Sequence, residues 1–261
     1  MHDLLVWSLA SGSNGNALLM GSGETLLLID DGISTKRLRQ HLAALDLTPH
    51  HIDAIAITHE HHDHVSGLPV LRKHTDAPIL ASRGTARALG LEHYERLAPD
   101  RGFRLKDLTI TPFLLPHDAE EPLGLAVESG GRKALVATDL GHATDRLMAL
   151  AGNCDVLVIE ANHDIGMLMN GSYPAVLKAR ILGPYGHLSN PEAGEIAAHA
   201  VHHGTRHVML SHLSMENNDP IIAMETVQRE LRRRGVAQRI TISPRGMPGE
   251  MLRLEPPGKP L

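Results

Sequence analysis

Apolar residues in this chain come in short, nearly unbroken runs separated by Gly, Asn, Asp and Ser, the pattern of strands buried on both faces. Leu4 to Leu9 is the first such run. Ala17 to Met20 and Thr25 to Ile29 follow, joined at Gly21-Ser22-Gly23-Glu24, and predict a hairpin ending at Asp30-Asp31-Gly32. Further strands are expected at Ile52 to Thr58, Ile79 to Ala81, Leu108 to Leu115, Leu123 to Glu128, Lys133 to Thr138, Asp155 to Ile159 and Arg206 to Ser211.

Between them the spacing lengthens to that of helices. Ser34 is placed to cap a helix that carries Leu38, Leu42 and Leu45 on one side. Helical stretches are expected over Ser66 to His74, disturbed at Pro69, and over Thr85 to Leu91, Thr144 to Ala151, Tyr173 to Leu182 and Pro191 to His202. Asp219-Pro220 opens a last helix with Met224, Val227 and Leu231 inward and Gly235 as its stop. The basic run Arg232-Arg233-Arg234 at its end complements the helix dipole. Strand-rich and then helix-containing segments occur twice, with no linker of disordered composition between them.

Composition narrows the chemistry. With 42% hydrophobic but only 2% aromatic residues, the core must be built from Leu, Ile, Val, Ala and Met. No apolar run approaches the roughly 20 residues that span a bilayer, and Met1-His2-Asp3-Leu4-Leu5 has no basic segment leading into an apolar core, so a cytoplasmic location is expected. A single cysteine, Cys154, rules out an intrachain disulfide and any multi-thiolate metal site. A metal would therefore rest on His and carboxylates. The chain has 19 His, most in helical or surface-like contexts that call for no special role. A formal charge of −5 argues against a broad basic surface for duplex nucleic acid.

One stretch concentrates the ligand types. Thr58-His59-Glu60-His61-His62-Asp63-His64 directly follows the apolar run Ala54 to Ile57, and gathers His59, His61, Asp63 and His64 at a strand end. Two imidazoles two positions apart suit one tetrahedral site, while the next Asp and His reach a neighbouring one. A second stretch, Ala10-Ser11-Gly12-Ser13-Asn14-Gly15-Asn16, has the small residues of a turn or of a backbone anion nest.

The H-x-H-x-D-H motif resembles that of the metallo-β-lactamase superfamily. The resemblance implies an α/β fold, a four-layer αβ/βα sandwich formed by one domain over residues 1–261. It also implies further ligands at strand ends, and this chain has a matching residue at each point of the order. Asp30 matches the first motif, as a carboxylate that orients the metal loop through hydrogen bonds. His117, Asp139 and His212 match the third, fourth and fifth. One metal is then expected on His59, His61 and His117, the other on Asp63, His64 and His212, with Asp139 bridging them. Two divalent ions are implied, zinc first, with manganese or iron admitted by the carboxylates and open positions. A hydroxide between two cations would be the nucleophile.

Other stretches narrow the branch. Glu160-Ala161-Asn162-His163-Asp164, Met167-Leu168-Met169-Asn170-Gly171, Gly186-His187-Leu188-Ser189-Asn190 and His212-Leu213-Ser214-Met215-Glu216-Asn217-Asn218 resemble the YycJ/WalJ group of bacterial nucleases of this fold. The resemblance implies a phosphodiesterase, a 5′ DNA exonuclease, with nucleic acid as its partner and DNA ahead of RNA. Too few residues separate Asp139 from His212 for the inserted domain of the β-CASP nucleases, and too few follow His212 for the helical domain of a glyoxalase II. The alternatives are a small-molecule hydrolase, acting on a cyclic phosphate, thioester or lactone, and a metal-stabilised binding protein. Asp63 and His187 are the expected catalytic residues, His187 as proton donor to a leaving oxygen or as phosphate binder. Ser13, Asn14 and His163 are expected to border the substrate.

Overall fold

The computed structural model describes residues 2–258; Met1 and residues 259–261, the ends of the span read as one domain, lie outside them. The apolar runs form two seven-stranded sheets. The first contains β1 (Leu4–Ala10), β2 (Ala17–Ser22), β3 (Thr25–Ile29), β4 (Ala54–Ile57), β5 (Ile79–Ala81) and β6 (Glu95–Arg96). The second contains β7 (Phe103–Leu105), β8 (Leu108–Leu114), β9 (Leu123–Ser129), β10 (Arg132–Ala137), β11 (Val156–Glu160), β12 (His207–Ser211) and β13 (Ile240–Ile242). A last strand, β14 (Met251–Leu254), returns to pair antiparallel with β1. Each sheet begins as an antiparallel meander and ends in parallel strands, β3 to β6 in one and β10 to β13 in the other.

Period-two alternation decides what each strand buries. Leu27 and Ile29 of β3, Ala54 and Ala56 of β4, Val156 and Val158 of β11 and Met209 of β12 meet in the layer between the sheets. Their neighbours Leu28, Ile55 and Ile57 face outward into one helical layer, and Leu157, Ile159, Val208 and Leu210 into the other. Both faces of both sheets are thus covered, which is why the runs carry almost no polar residue. The architecture is the four-layer sandwich.

The outer layers use α1 (Thr35–Ala43), α2 (His62–Val65), α3 (Leu68–Leu71) and α4 (Arg83–Ala88) on the first sheet. On the second lie α5 (Asp145–Ala151), α6 (Ile165–Asn170), α7 (Ala175–Ile181), α8 (Asn190–His202) and α9 (Pro220–Arg233). Ser34 caps α1, and Ser189 and Glu192 form a reciprocal capping box on α8. The inner face of α9 is Ala223, Thr226, Val227, Glu230 and Leu231; Met224 is only half-buried.

Several elements differ from the sequence reading. The expected helix over Ser66 to His74 breaks at Gly67, whose amide donates to the Asp31 carbonyl and where a Cβ would meet the Ile33 carbonyl oxygen at 2.0 Å. The preceding turn, α2, instead begins inside the metal motif, so Asp63 and His64 ride on a helical turn. Pro174 delays α7 past Tyr173. The edge strands β13 and β14 give no clear signal in the sequence because their runs are only three and four residues long, with Pro244 and Pro248 in the segment between them. Among the described residues no helix is long and apolar enough to cross a membrane.

Candidate metal centre

The carboxyl ends of the parallel strands of both sheets open on one cleft, the usual place for a site in an α/β sheet. Asp30 follows β3, Thr58 and His59 follow β4, Asp139 lies two residues past β10, Glu160 ends β11 and His212 follows β12. Three of these residues carry positive φ: Asp30 at 59°, Asp139 at 64° and His212 at 53°. That left-handed geometry costs a non-glycine residue about 1 kcal/mol or more, and such strain gathers at functional sites.

Two triads meet there. Nδ1 of His61 lies 3.1 Å from Nε2 of His59 and 3.3 Å from Nε2 of His117. These separations suit a tetrahedral zinc with Zn–N bonds of about 2.0–2.1 Å, whose ligand edges are roughly 3.3 Å. The second triad is Asp63, His64 and His212, with the Asp63 Oδ2 3.5 Å from His64 Nε2 and 3.3 Å from His212 Nε2. Asp139 stands between the triads. Its Oδ2 is 3.2 Å from His64 Nε2 and its Oδ1 3.9 Å from His117 Nε2; the buried Oδ2 has no hydrogen-bond partner. An orphaned, buried carboxylate oxygen between two sets of imidazole nitrogens fits a divalent cation.

The nitrogens facing the cleft are selected from behind. Asp30 accepts from Thr58 N at 2.8 Å and from His64 Nδ1 at 2.7 Å, leaving His64 Nε2 toward the cleft. The Gly186 carbonyl holds Nδ1 of His117 at 3.2 Å. Asn16 donates its side-chain amide to Asp63 Oδ2 at 3.0 Å, while its backbone amide donates to the Asp63 carbonyl.

Glu160 does the most of this work, and the sequence reading gave it no role. It is fully buried, and its Oε1 accepts from Nδ1 of His187 at 2.7 Å and Nδ1 of His212 at 2.8 Å. Its Oε2 accepts from the amides of Leu140 and Leu188. Each imidazole is thereby turned so that Nε2 is its free nitrogen. The signal was present in the sequence: Glu160 ends an apolar strand just as Asp30 follows one. Asn16, Asp118 and Arg180, which donates to Asp118 at the cleft rim, were missed as well.

Charge in the site follows from burial and proximity. Burial pushes His59 well below the ordinary imidazole value, with His64 adding to the effect, and burial likewise lowers His117 against the pull of Asp139. Both are neutral and ready to ligate. For His64 and His212 burial again disfavours the cation, but Asp30 and Asp139 around the first, and Asp139, Asp63 and Glu160 around the second, prevail and hold both well above it. His187 is raised in the same way, burial being outweighed by Glu160. Against the opposing effect of burial, His187 and His212 hold Glu160 down to about 2. Buried carboxylates here demand positive charge, from protons or from metal ions that displace them.

The cleft, about 230 Å³, is lined by His61, Asp63, His117, Asp139, His187 and His212 among others, and Ser13 reaches its rim. Asn14 is exposed beside Met215, in an adjoining cavity. His163 does not border the substrate space. It is 1% exposed, bridges to Ser189 in the second sheet's loop layer, and has neither ring nitrogen hydrogen-bonded.

Residues 25–213 match the model of the β-lactamase superfamily domain. The chain belongs to that superfamily. It is 36% identical over 236 residues to exodeoxyribonuclease YycJ of Bacillus anthracis, covering 87% of this chain and 89% of the relative. Identity is 34% over 234 residues to exodeoxyribonuclease WalJ of Streptococcus pneumoniae serotype 2, covering 85% and 86%. The metallo-β-lactamase fold protein YhfI from Bacillus subtilis superposes with a TM-score of 0.72 at 19% identity, over 97% of this chain and 100% of that one. With this family and these relatives the chain is a metal-dependent hydrolase.

Proposed function

We propose that the protein is a phosphodiesterase that binds two divalent metal ions and acts as a nuclease on DNA. One observation carries the reading: two ligand triads lie in a single cleft with Asp139 between them, and His187, held by the buried Glu160, lines that cleft beside them. The names of the relatives, exodeoxyribonucleases at 36% and 34% identity, favour DNA over RNA.

His59, His61 and His117 would hold one ion, Asp63, His64 and His212 the other, and Asp139 would touch both. Zinc suits the imidazole-rich ligands, while Asp63, Asp139 and open positions also admit manganese or iron. When bound, such ions supply Lewis acidity toward a phosphate oxygen and lower the pKa of water. The chain's own residues do the rest. Asp30, Asn16 and Glu160 fix the orientation of the ligands before substrate arrives, so no reorganisation is needed during reaction. His187, with Nδ1 committed to Glu160, keeps Nε2 to donate a proton to the leaving oxygen. Asp118 and Arg180 form the polar rim.

Digestion of end-labelled single- and double-stranded DNA and RNA with zinc, manganese or iron in turn tests this reading. A ladder of DNA products that is lost on chelation and restored by adding metal back is expected. Hydrolysis of ester, lactone or lactam substrates without any cleavage of DNA would overturn it.

A further inference from the structure

A second cavity, of about 400 Å³, adjoins the cleft and shares Ser13 and Tyr173 with it. The two therefore lie side by side, with Ser13 and Tyr173 at their border. Two guanidiniums line the second part, Arg37 from α1 and Arg245 from the loop after β13. Arg37 donates to the Gly246 carbonyl, and Arg245 donates to the carbonyls of Ser214 and Asn218, so both heads are held in place. Neither makes an ion pair with a carboxylate among the described residues; Glu216, also on the lining, pairs with neither. On a chain of net charge −5, two fixed and unneutralised guanidiniums beside a reactive cleft are an anion site in the making.

The rest of the lining says which anion. Tyr173 at the junction and the exposed Met215 supply an aromatic face and a polarisable one, on which a base can rest. A simple phosphate monoester would fill the cleft alone and leave this second space unused.

We propose that this cavity is the subsite for the nucleotide next to the scissile phosphate of the DNA strand being cut, with Arg37 and Arg245 holding its backbone phosphate and Tyr173 contacting its base. The inference rests on the nuclease reading and adds to it a substrate class: an oligonucleotide strand, preferred over a mononucleotide or small ester.

Binding separates this from catalysis. Fluorescence anisotropy with a hydrolysis-resistant phosphorothioate single-stranded DNA, across a salt series on the metal-loaded protein, should show R37Q/R245Q weakened about tenfold or more. The slope of log affinity against log salt should fall by about 0.7 for each phosphate that the variant no longer neutralises. R37K/R245K should recover much of the affinity, because the charge returns, whereas a purely structural role for the guanidinium forks would not be rescued. A length series on the unaltered protein needs no variant: kcat/KM should climb from dinucleotide to longer strands. If wild-type protein cleaves and binds DNA but shows no length dependence and the glutamine variant keeps its affinity and salt slope, the subsite is wrong and the nuclease reading stands. If wild-type protein neither cleaves nor binds DNA, both fall.

Discussion

At the scale of single residues, the site is a set of imidazoles, and for His64, His187 and His212 the nitrogen left toward the cleft is chosen by a carboxylate behind the ring. His187 is the one proposed to act chemically rather than structurally. His187→Ala should keep both metals yet lose roughly 10²–10⁴-fold in turnover on DNA. The loss should be much smaller on bis-p-nitrophenyl phosphate, whose leaving group departs without a proton; steady-state kinetics on the two substrates checks this. Glu160→Gln should lower kcat on DNA by about 10–100-fold, since both His187 and His212 lose the charged acceptor that orients them. A change confined to KM would contradict that. Cys154 is a contrast. Burial in the outer core pushes its thiol up to about 11, outweighing the Thr205 hydroxyl that draws it down. An unfolded thiol titrates at about 8.5, so folding keeps the proton on, and this contribution to stability is present below the unfolded value and lost as pH rises through the folded one. Thiol reagents at neutral pH should therefore react with the native protein far more slowly than with the denatured chain, as a colorimetric thiol assay can measure.

At the scale of elements, loops after the strands are packed against one another with no room between backbones. A Cβ on Gly32 would meet the Asp63 carbonyl oxygen at 1.6 Å, and one on Gly15 would meet the Gly32 carbonyl oxygen at 2.1 Å with φ at +140°. The loop after β1, the loop after β3 and the first turn of α2 thus form one unit, closed by the Asn16 amide on Asp63 and the Gly32 amide on Asn16. Gly32→Ala must open that unit. It should destabilise the protein by about 3 kcal/mol, lowering Tm by roughly 6–12 °C, and should weaken metal retention as well, since Asp63 moves with its carbonyl. Calorimetry with elemental analysis of the same sample reads both effects.

At the scale of the molecule, two sheets each contribute ligands from the carboxyl ends of their strands, so the site is a seam between halves. His59, His61, Asp63 and His64 come from the first sheet, while His117, Asp139 and His212 come from the second. Metal should therefore act as a clamp. Protein purified without chelator should hold close to two transition-metal equivalents, and their removal should leave the half-buried Asp63 and the buried Asp139 and Glu160 facing fewer positive charges. A lower Tm on chelation, restored by adding metal back, is expected. One equivalent at saturation, with full activity, would defeat the two-metal arrangement.

The sequence by itself determined the buried strands and the kind of chemistry. An uninterrupted apolar run such as Ile55-Ala56-Ile57 can be stable only with both faces covered, and H-x-H-x-D-H places its donors within a few residues of one another, so short-range geometry suffices to read it. Asp30, His117, Asp139 and His212 were legible too, as polar residues just past such runs, although their partnership came through family resemblance. Only the tertiary structure decided which side chain stands behind which. Glu160 and His163 share one short motif in which only His163 draws a role from the sequence, yet Glu160 sits beneath two imidazoles of the cleft and His163 is sealed away from it. Arg37, Tyr173 and Arg245 meet around one cavity from three distant parts of the chain. The weak edge strands β13 and β14 likewise exist only because β12 and β1 offer them unpaired edges. Residue type and local period fix what a segment can bury or bind, whereas contacts between remote segments depend on where the packed sheets bring their ends.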